Sequence, residues 1–232
     1  QPVSYKLDSK LGTEAEFKNM IKQCNAVGVD IIADVVLNQT TGADVADGKQ
    51  TGVAGTEYNG STGDYPGFAT EQYPEGITAS DFHSCSKNIS NYANQQEVQE
   101  CRLSSMWDFD SESEKVQDIQ SDYLAALWNA GVRGFRMDAV KHIHTDSMKA
   151  IKEKFAKKIG VNADSIYWIQ EVIGNSSEAA GIQPSNYVQN GTVTEFGFKS
   201  EMNQTFKDKI ANLKGLNERL SKDLASEDAN VF

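Results

Sequence analysis

The stretch Gly134-Phe135-Arg136-Met137-Asp138-Ala139-Val140-Lys141-His142 concentrates the groups best able to do chemistry. Ahead of it, Ala130-Gly131-Val132-Arg133 closes a helical pattern and opens a strand, so Arg136, Asp138 and Lys141 gather at a strand end. In an α/β barrel the C-terminal ends of strands are where reactions are run. A carboxylate beside an arginine is held as the anion, able to attack or to stabilise charge. Alone, the pair reads equally well as a structural ion pair capping a strand. Two further runs shift the balance. Ile166-Tyr167-Trp168-Ile169-Gln170-Glu171 also ends on a carboxylate, and Ile31-Ile32-Ala33-Asp34-Val35-Val36-Leu37-Asn38 ends on an amide. Two carboxylates on neighbouring strand ends meet the requirement for glycoside hydrolysis, in which one attacks or stabilises and the other donates a proton. The donor needs a raised pKa, and the apolar neighbours of Glu171 (Trp168, Ile169, Val172 and Ile173) predict one.

The elements that must position these groups alternate between strand and helix. Thr13 and Glu16 fit a capping box, and Phe17, Met20, Ile21, Cys24 and Val27 recur at helical spacing before Gly28. The strand from Ile31 is nearly continuous in apolar residues, which predicts burial on both faces. Helical spacing returns at Val116, Ile119, Tyr123, Leu124 and Leu127, then at Met148, Ile151, Phe155 and Ile159 before Gly160. A short strand over residues 192–196 precedes a last helix carrying Met202, Phe206, Ile210 and Leu213. Such alternation predicts a parallel sheet with helical crossovers. Four strands are countable, whereas a closed eight-stranded barrel takes about 250 residues. Either the sheet is open, or the chain is the middle of a larger barrel. The start at Gln1 and the apolar ending Asn230-Val231-Phe232 favour the second.

Between the first strand and its helix the pattern dissolves into Gly, Asn, Asp, Ser, Thr and Tyr. A connection this long is usually functional, and it reads as an inserted irregular subdomain. Cys85 and Cys101 lie within it, a reasonable disulfide pair in an oxidising compartment. Cys24, on a helical face, is either a buried thiol or half of a bridge.

The net charge of -11 argues against nucleic acid as a partner, because phosphate binding needs a basic face. No apolar run is long enough to span a bilayer, so no membrane partner is expected. The hydrophobic share of 39% is that of a globular protein.

These residues also carry a resemblance. Asp34-Val35-Val36-Leu37-Asn38, Gly134 to His142 and Gln170-Glu171-Val172-Ile173 resemble three successive conserved regions of the α-amylases. The opening Gln1-Pro2-Val3-Ser4-Tyr5-Lys6-Leu7 and Cys101-Arg102-Leu103 are similar to the animal-type group, which includes some bacterial members. Order, spacing and strand context agree across nearly the whole chain. The resemblance implies a (β/α)8 TIM barrel of which only the central strands are present. It divides the chain into barrel (1–38), an inserted calcium-binding subdomain after the third barrel strand (39–108) and barrel again (109–232), truncated at both ends. The implied activity is endo-acting, retaining hydrolysis of internal α-1,4-glucosidic bonds in starch or glycogen by a secreted monomer.

By the same resemblance Asp138 is the nucleophile, Glu171 the general acid/base, and Arg136 supports Asp138 and binds an activating chloride. Calcium ligands would be the Asn38 side chain, the Gln99 carbonyl, the Asp108 side chain and the His142 carbonyl. The α-glucan would be lined by Gln1, Tyr92, Leu103, Lys141, His142, Ile173 and Glu178. Gln39 stands where the family usually has a histidine that bonds the sugar at the cleavage site. An amide can still donate that bond but cannot titrate. The family's third catalytic aspartate would fall just past Phe232. Two alternatives are a related α-glucosidase or transglycosylase on the same barrel, and a non-catalytic binding protein. The second usually lacks a catalytic carboxylate, whereas Asp138 and Glu171 are both present.

Overall fold

The computed structural model describes residues 2–207. Its centre is a parallel sheet of four strands: β1 (Ile32–Val35), β6 (Gly134–Met137), β7 (Tyr167–Gln170) and β8 (Thr192–Val193), hydrogen-bonded in that order. Register fixes what meets at the top of the sheet, because Asp34 faces Arg136 on the next strand and Met137 faces Gln170.

The helices start and stop where local chemistry dictates. α1 (Glu14–Ala26) opens on the predicted capping box, with the Thr13 side chain accepting from the Glu16 amide. α3 (Glu114–Ala130) is capped by Ser113, and α4 (Thr145–Ile159) follows β6. α3 and α4 end at Gly131 and Gly160, whose φ values of 110° and 71° are costly for any residue with a Cβ. The core between sheet and helices is built on Phe135, which meets Phe155 of α4 edge-on at 5.3 Å and lies 5.9 Å from Trp168 of β7. That packing holds β6 and β7, and so the residues just past their ends, in one rigid frame.

Three strand expectations are corrected. β1 stops at Val35 rather than Asn38, because the chain leaves the sheet there: the Leu37 carbonyl accepts from Gln120 and the Asn38 carbonyl from the Phe109 amide. β1 is not buried on both faces either. Among the described residues it is an edge strand, and Ile32 is 48% exposed. β8 is two residues, not five, because the Glu195 carboxylate turns to cap α5 (Gly197–Lys207), accepting from the Gly197 and Phe198 amides at 2.5 and 3.1 Å. α1 shows a narrower apolar face than its spacing suggests: Ile21 is buried, while Met20 and Val27 are exposed. Gln1, Ile210, Leu213 and the apolar chain end lie outside the described residues.

Residues 39–108 hold β2 (Gln39–Gly42), β3 (Gln50–Thr51), β4 (Glu57–Tyr58), α2 (Gln95–Glu100) and β5 (Met106–Asp108). β2 pairs antiparallel with β5, and Gln39 lies opposite Asp108. A second apolar cluster of Tyr65, Phe68, Ile77, Phe82 and Phe109 seats this segment on Val116 and Ile119 of α3. Cys85 and Cys101 form a disulfide, with Cα atoms 4.9 Å apart, while Cys24 is a free, half-buried thiol. The bridge closes a loop of 16 residues. Replacing both cysteines by serine is expected to lower stability by about 3 kcal/mol through loop entropy. Chemical denaturation would check this, and an unchanged midpoint would refute it.

Glu97 of α2 pins the same segment. Its carboxylate accepts from the Ser90 amide and hydroxyl, from the Asn91 amide and from Lys87 at 2.7–3.0 Å. These bonds, the Ser90 pair foremost, hold its pKa down at about 2. A depressed folded pKa gives stability that is present above the unfolded value, about 4.3, and is lost as pH falls towards 2. Glu97→Gln is therefore expected to lower the Tm at pH 7 and to converge on the parent near pH 2. Melting curves that stay equally separated across that range would exclude the ionised contacts as the cause.

Candidate active site

Asp138 and Glu171 each follow the last residue of a strand, β6 and β7. Backbone bonds lock the two ends together. The Asp138 amide donates to the Val35 carbonyl, the Glu171 amide to the Met137 carbonyl, and the Val140 amide to the Glu171 carbonyl, all at 2.9 Å. Between them Ala139 takes the left-handed conformation, with φ 51°, unusual for a residue with a Cβ. That turn aims the Ala139 N–H at Glu171 Oε2, 3.1 Å away.

Arg136 joins the carboxylates. Its Nη1 lies 2.8 Å from Asp34 and 2.6 Å from Asp138, and its Nη2 lies 2.6 Å from Glu171. Desolvation works against the guanidinium's charge, but Asp34, Asp138 and Glu171 outweigh it and hold Arg136 protonated above its ordinary range. The surroundings of Glu171 differ from the sequence expectation. Of the apolar residues that flank it, Trp168 and Val172 are buried in the core, Ile173 lines the cleft beside it, and its oxygens meet a guanidinium and a backbone N–H. The guanidinium is already met by three carboxylates, so the arrangement does not itself call for a chloride.

Beside Glu171 lies an open cleft of about 410 Å³, lined by Tyr92, Leu103, Ala139, Lys141, His142, Glu171, Ile173 and Glu178. Six of the residues that the resemblance assigns to substrate therefore share one wall, although they come from three separate parts of the chain. Lys141 pairs with Glu178 at 2.6 Å and lies over the Tyr92 ring, 5.2 Å from its centre. His142 is pushed down to about 4 by burial, so it is neutral near pH 7, and its Nδ1–H donates to the Val98 carbonyl. Gln39 lies apart from this wall. It is buried, and its Nε2 has no hydrogen-bond partner among the described residues.

Behind the cleft, Asn38 and Asp108 meet at 2.6 Å, both buried. Among the described residues Asn38 Oδ1 is buried without a hydrogen-bond partner, and burial pushes Asp108 up to about 7 against the pull of His83. An orphaned amide oxygen next to an under-compensated carboxylate suits a hard, oxygen-seeking cation. The His142 ring on Val98 brings the turn at residues 140–142 against the end of α2, where Gln99 sits, so the proposed carbonyl donors come from neighbouring turns. These residues fit calcium.

Three participants escaped sequence reasoning in their roles. Asp34 was visible within a conserved-looking region, but its grip on Arg136 depends on strand register. The Ala139 amide acts through backbone conformation, which has no residue signal. His83, in an irregular loop, donates from Nδ1 to Asp108 Oδ2 over 2.7 Å, and no spacing pattern announces it.

A family model described as "Alpha amylase, catalytic domain" matches residues 4–226. The chain is 37% identical to an α-amylase of Thermomonospora curvata over 235 residues, covering 100% of this chain and 36% of that protein. It is 35% identical to an α-amylase of Pecten maximus over 218 residues, covering 92% and 42%. Among solved structures, α-amylase I of Eisenia fetida superposes with a TM-score of 0.79 at 34% identity, over 93% of this chain and 43% of that one. The chain thus spans less than half the length of these relatives, and its four parallel strands are part of a TIM barrel. With the family model covering nearly every residue, the chain belongs to the α-amylase catalytic-domain family.

Proposed function

We propose that this chain carries the reacting centre of a retaining, endo-acting hydrolase of internal α-1,4-glucosidic bonds in starch or glycogen. The observation that carries the reading is the joint hold of Arg136 on Asp138 and Glu171 at adjacent strand ends, beside an open cleft. Both carboxylates lie 2.6 Å from one guanidinium, in keeping with the short separation of about 5–5.5 Å used by retaining enzymes. Asp138 attacks the anomeric carbon while Glu171 passes a proton to the departing glycosidic oxygen. Glu171 then takes a proton from water, and that water releases the sugar from Asp138. Tyr92, Leu103 and Ile173 pack against sugar faces, and Lys141, His142 and Glu178 bind hydroxyls. A neighbouring solved structure is a maltohexaose complex of an Eisenia fetida α-amylase I variant, which supports an α-glucan as the ligand class.

The side chains of Asn38 and Asp108 and the backbone carbonyls of Gln99 and His142 would hold calcium, which would compensate the buried charge and tie residues 39–108 to the sheet. No step is routed through chloride. A secreted setting is supported by the Cys85–Cys101 bridge, and no helix among the described residues is long and apolar enough to cross a membrane. The chain is read as monomeric. The four-stranded segment by itself is expected to be inactive, since an open parallel sheet leaves edges and apolar faces uncovered. Product analysis on soluble starch with the complete enzyme tests the activity. Short maltooligosaccharides support it, whereas glucose alone points to an α-glucosidase and no product to a binding protein.

The calcium assignment carries its own expectation. A ligand that binds only the native state stabilises it by mass action, so adding calcium at 100 times its Kd raises stability by about 2.7 kcal/mol. Melting curves with calcium and with excess chelator check this, and identical midpoints would remove the site.

A further inference from the structure

The cleft uses none of the groups on the outer side of Asp108. There a second, separate depression of about 490 Å³ is lined by His83, Glu100, Asp110, Glu112, His144 and Asp146. Two imidazoles and four carboxylates around one hollow is a composition that sugar chemistry does not need. His83 is the best placed of them. Its Nδ1 is committed to buried Asp108 at 2.7 Å, which fixes the ring and leaves Nε2 facing the hollow. That Nε2 lies 3.0 Å from Glu112 Oε2 and 3.8 Å from Asp110 Oδ1. One ligand atom each from His83, Asp110 and Glu112 all fall within 4.8 Å of one another. On the far side His144 Nε2 holds the other Glu112 oxygen at 2.9 Å.

We propose that His83, Asp110 and Glu112 form a site for a divalent transition-metal ion of the zinc type, distinct from the calcium site, with His144 orienting Glu112 or closing as a fourth ligand. Metal bonds of about 2.0–2.2 Å to nitrogen and oxygen require ligand atoms about 3.4 Å apart in a tetrahedron, which small side-chain movements achieve here. An imidazole whose other nitrogen rests on a carboxylate is the usual support for a metal-bound histidine. Nitrogen in the donor set selects against calcium and for zinc and its neighbours. The three ligands come from two stretches, one before Cys85 and one in the turn that leads into α3. Zinc there would cross-link residues 39–108 to the turn that leads into α3.

The test is calorimetric titration of Zn2+ into the full chain with calcium held saturating. One Zn2+ per chain is expected, with Glu112→Gln weakening it at least about tenfold and Asp110→Asn with Glu112→Gln abolishing it. Neither substitution touches Asn38 or Asp108, so calcium binding should be unchanged in both. If Zn2+ binding is lost instead in Asn38→Ala, the metal is occupying the calcium site and the proposal is wrong. Should the double variant unfold, X-ray absorption of the zinc-loaded parent decides: imidazole scattering is expected, and an all-oxygen shell would overturn the assignment. No binding of Zn2+ below millimolar concentration would mean that the cluster is an ion-pair network only.

Discussion

Asp138→Asn in the complete enzyme is expected to lower kcat by at least about 10⁴-fold while leaving calcium binding intact. The size follows from the role: a nucleophile acting as a unit with its acid/base partner costs nearly as much to lose as the whole centre. The separation of effects follows from geometry. Asp138 contacts Arg136 and is not among the proposed calcium donors, whose side-chain members Asn38 and Asp108 bond each other instead. Asparagine keeps the shape and can still accept one hydrogen bond from Arg136, so the fold should survive. Activity within tenfold of the parent would remove Asp138 as nucleophile. Loss of calcium binding alongside activity would show that the two sites are not independent.

Glu171→Gln is expected to cost about 10²–10⁴-fold in kcat, the range for a positioned general acid. The neutral amide loses the ion pair with Arg136 but keeps an oxygen to accept from the Ala139 amide. The loss should depend on the leaving group. A substrate with a good leaving group needs little protonation, so its glycosylation step should suffer far less than that of starch. Rates for an activated aryl maltooligosaccharide and for starch, compared in parent and variant, measure this. Equal losses on both substrates would mean that Glu171 positions the centre rather than donating the proton.

Much of this arrangement is legible in the chain, and the illegible parts have common causes. Helix limits could be read because they depend on adjacent residues, as with Thr13 and Glu16 or Gly131 and Gly160. Asp138 and Glu171 could be read because strand ends can be located from apolar runs. The network around Arg136 could not, because it needs Asp34 to register opposite it on a strand 102 residues away. β8 was overestimated because Thr192-Val193-Thr194-Glu195-Phe196 has strand composition throughout, yet Glu195 turns to cap the next helix. Residues 39–108 gave no periodicity. Their order rests on a disulfide, on Glu97 as a buried acceptor and on scattered aromatic residues, all of them contacts between positions that no local pattern links.

In the proposed mechanism Asp138 becomes covalently attached to the sugar while Glu171 manages the proton. It is tested most directly by trapping the intermediate. The complete enzyme would be treated with a slow fluorinated maltosyl substrate, digested and mapped by mass spectrometry. One added glycosyl unit is expected on the peptide containing Asp138, and none in Asp138→Asn. An adduct on another residue, or no adduct together with a first-formed product of inverted anomeric configuration, would contradict it.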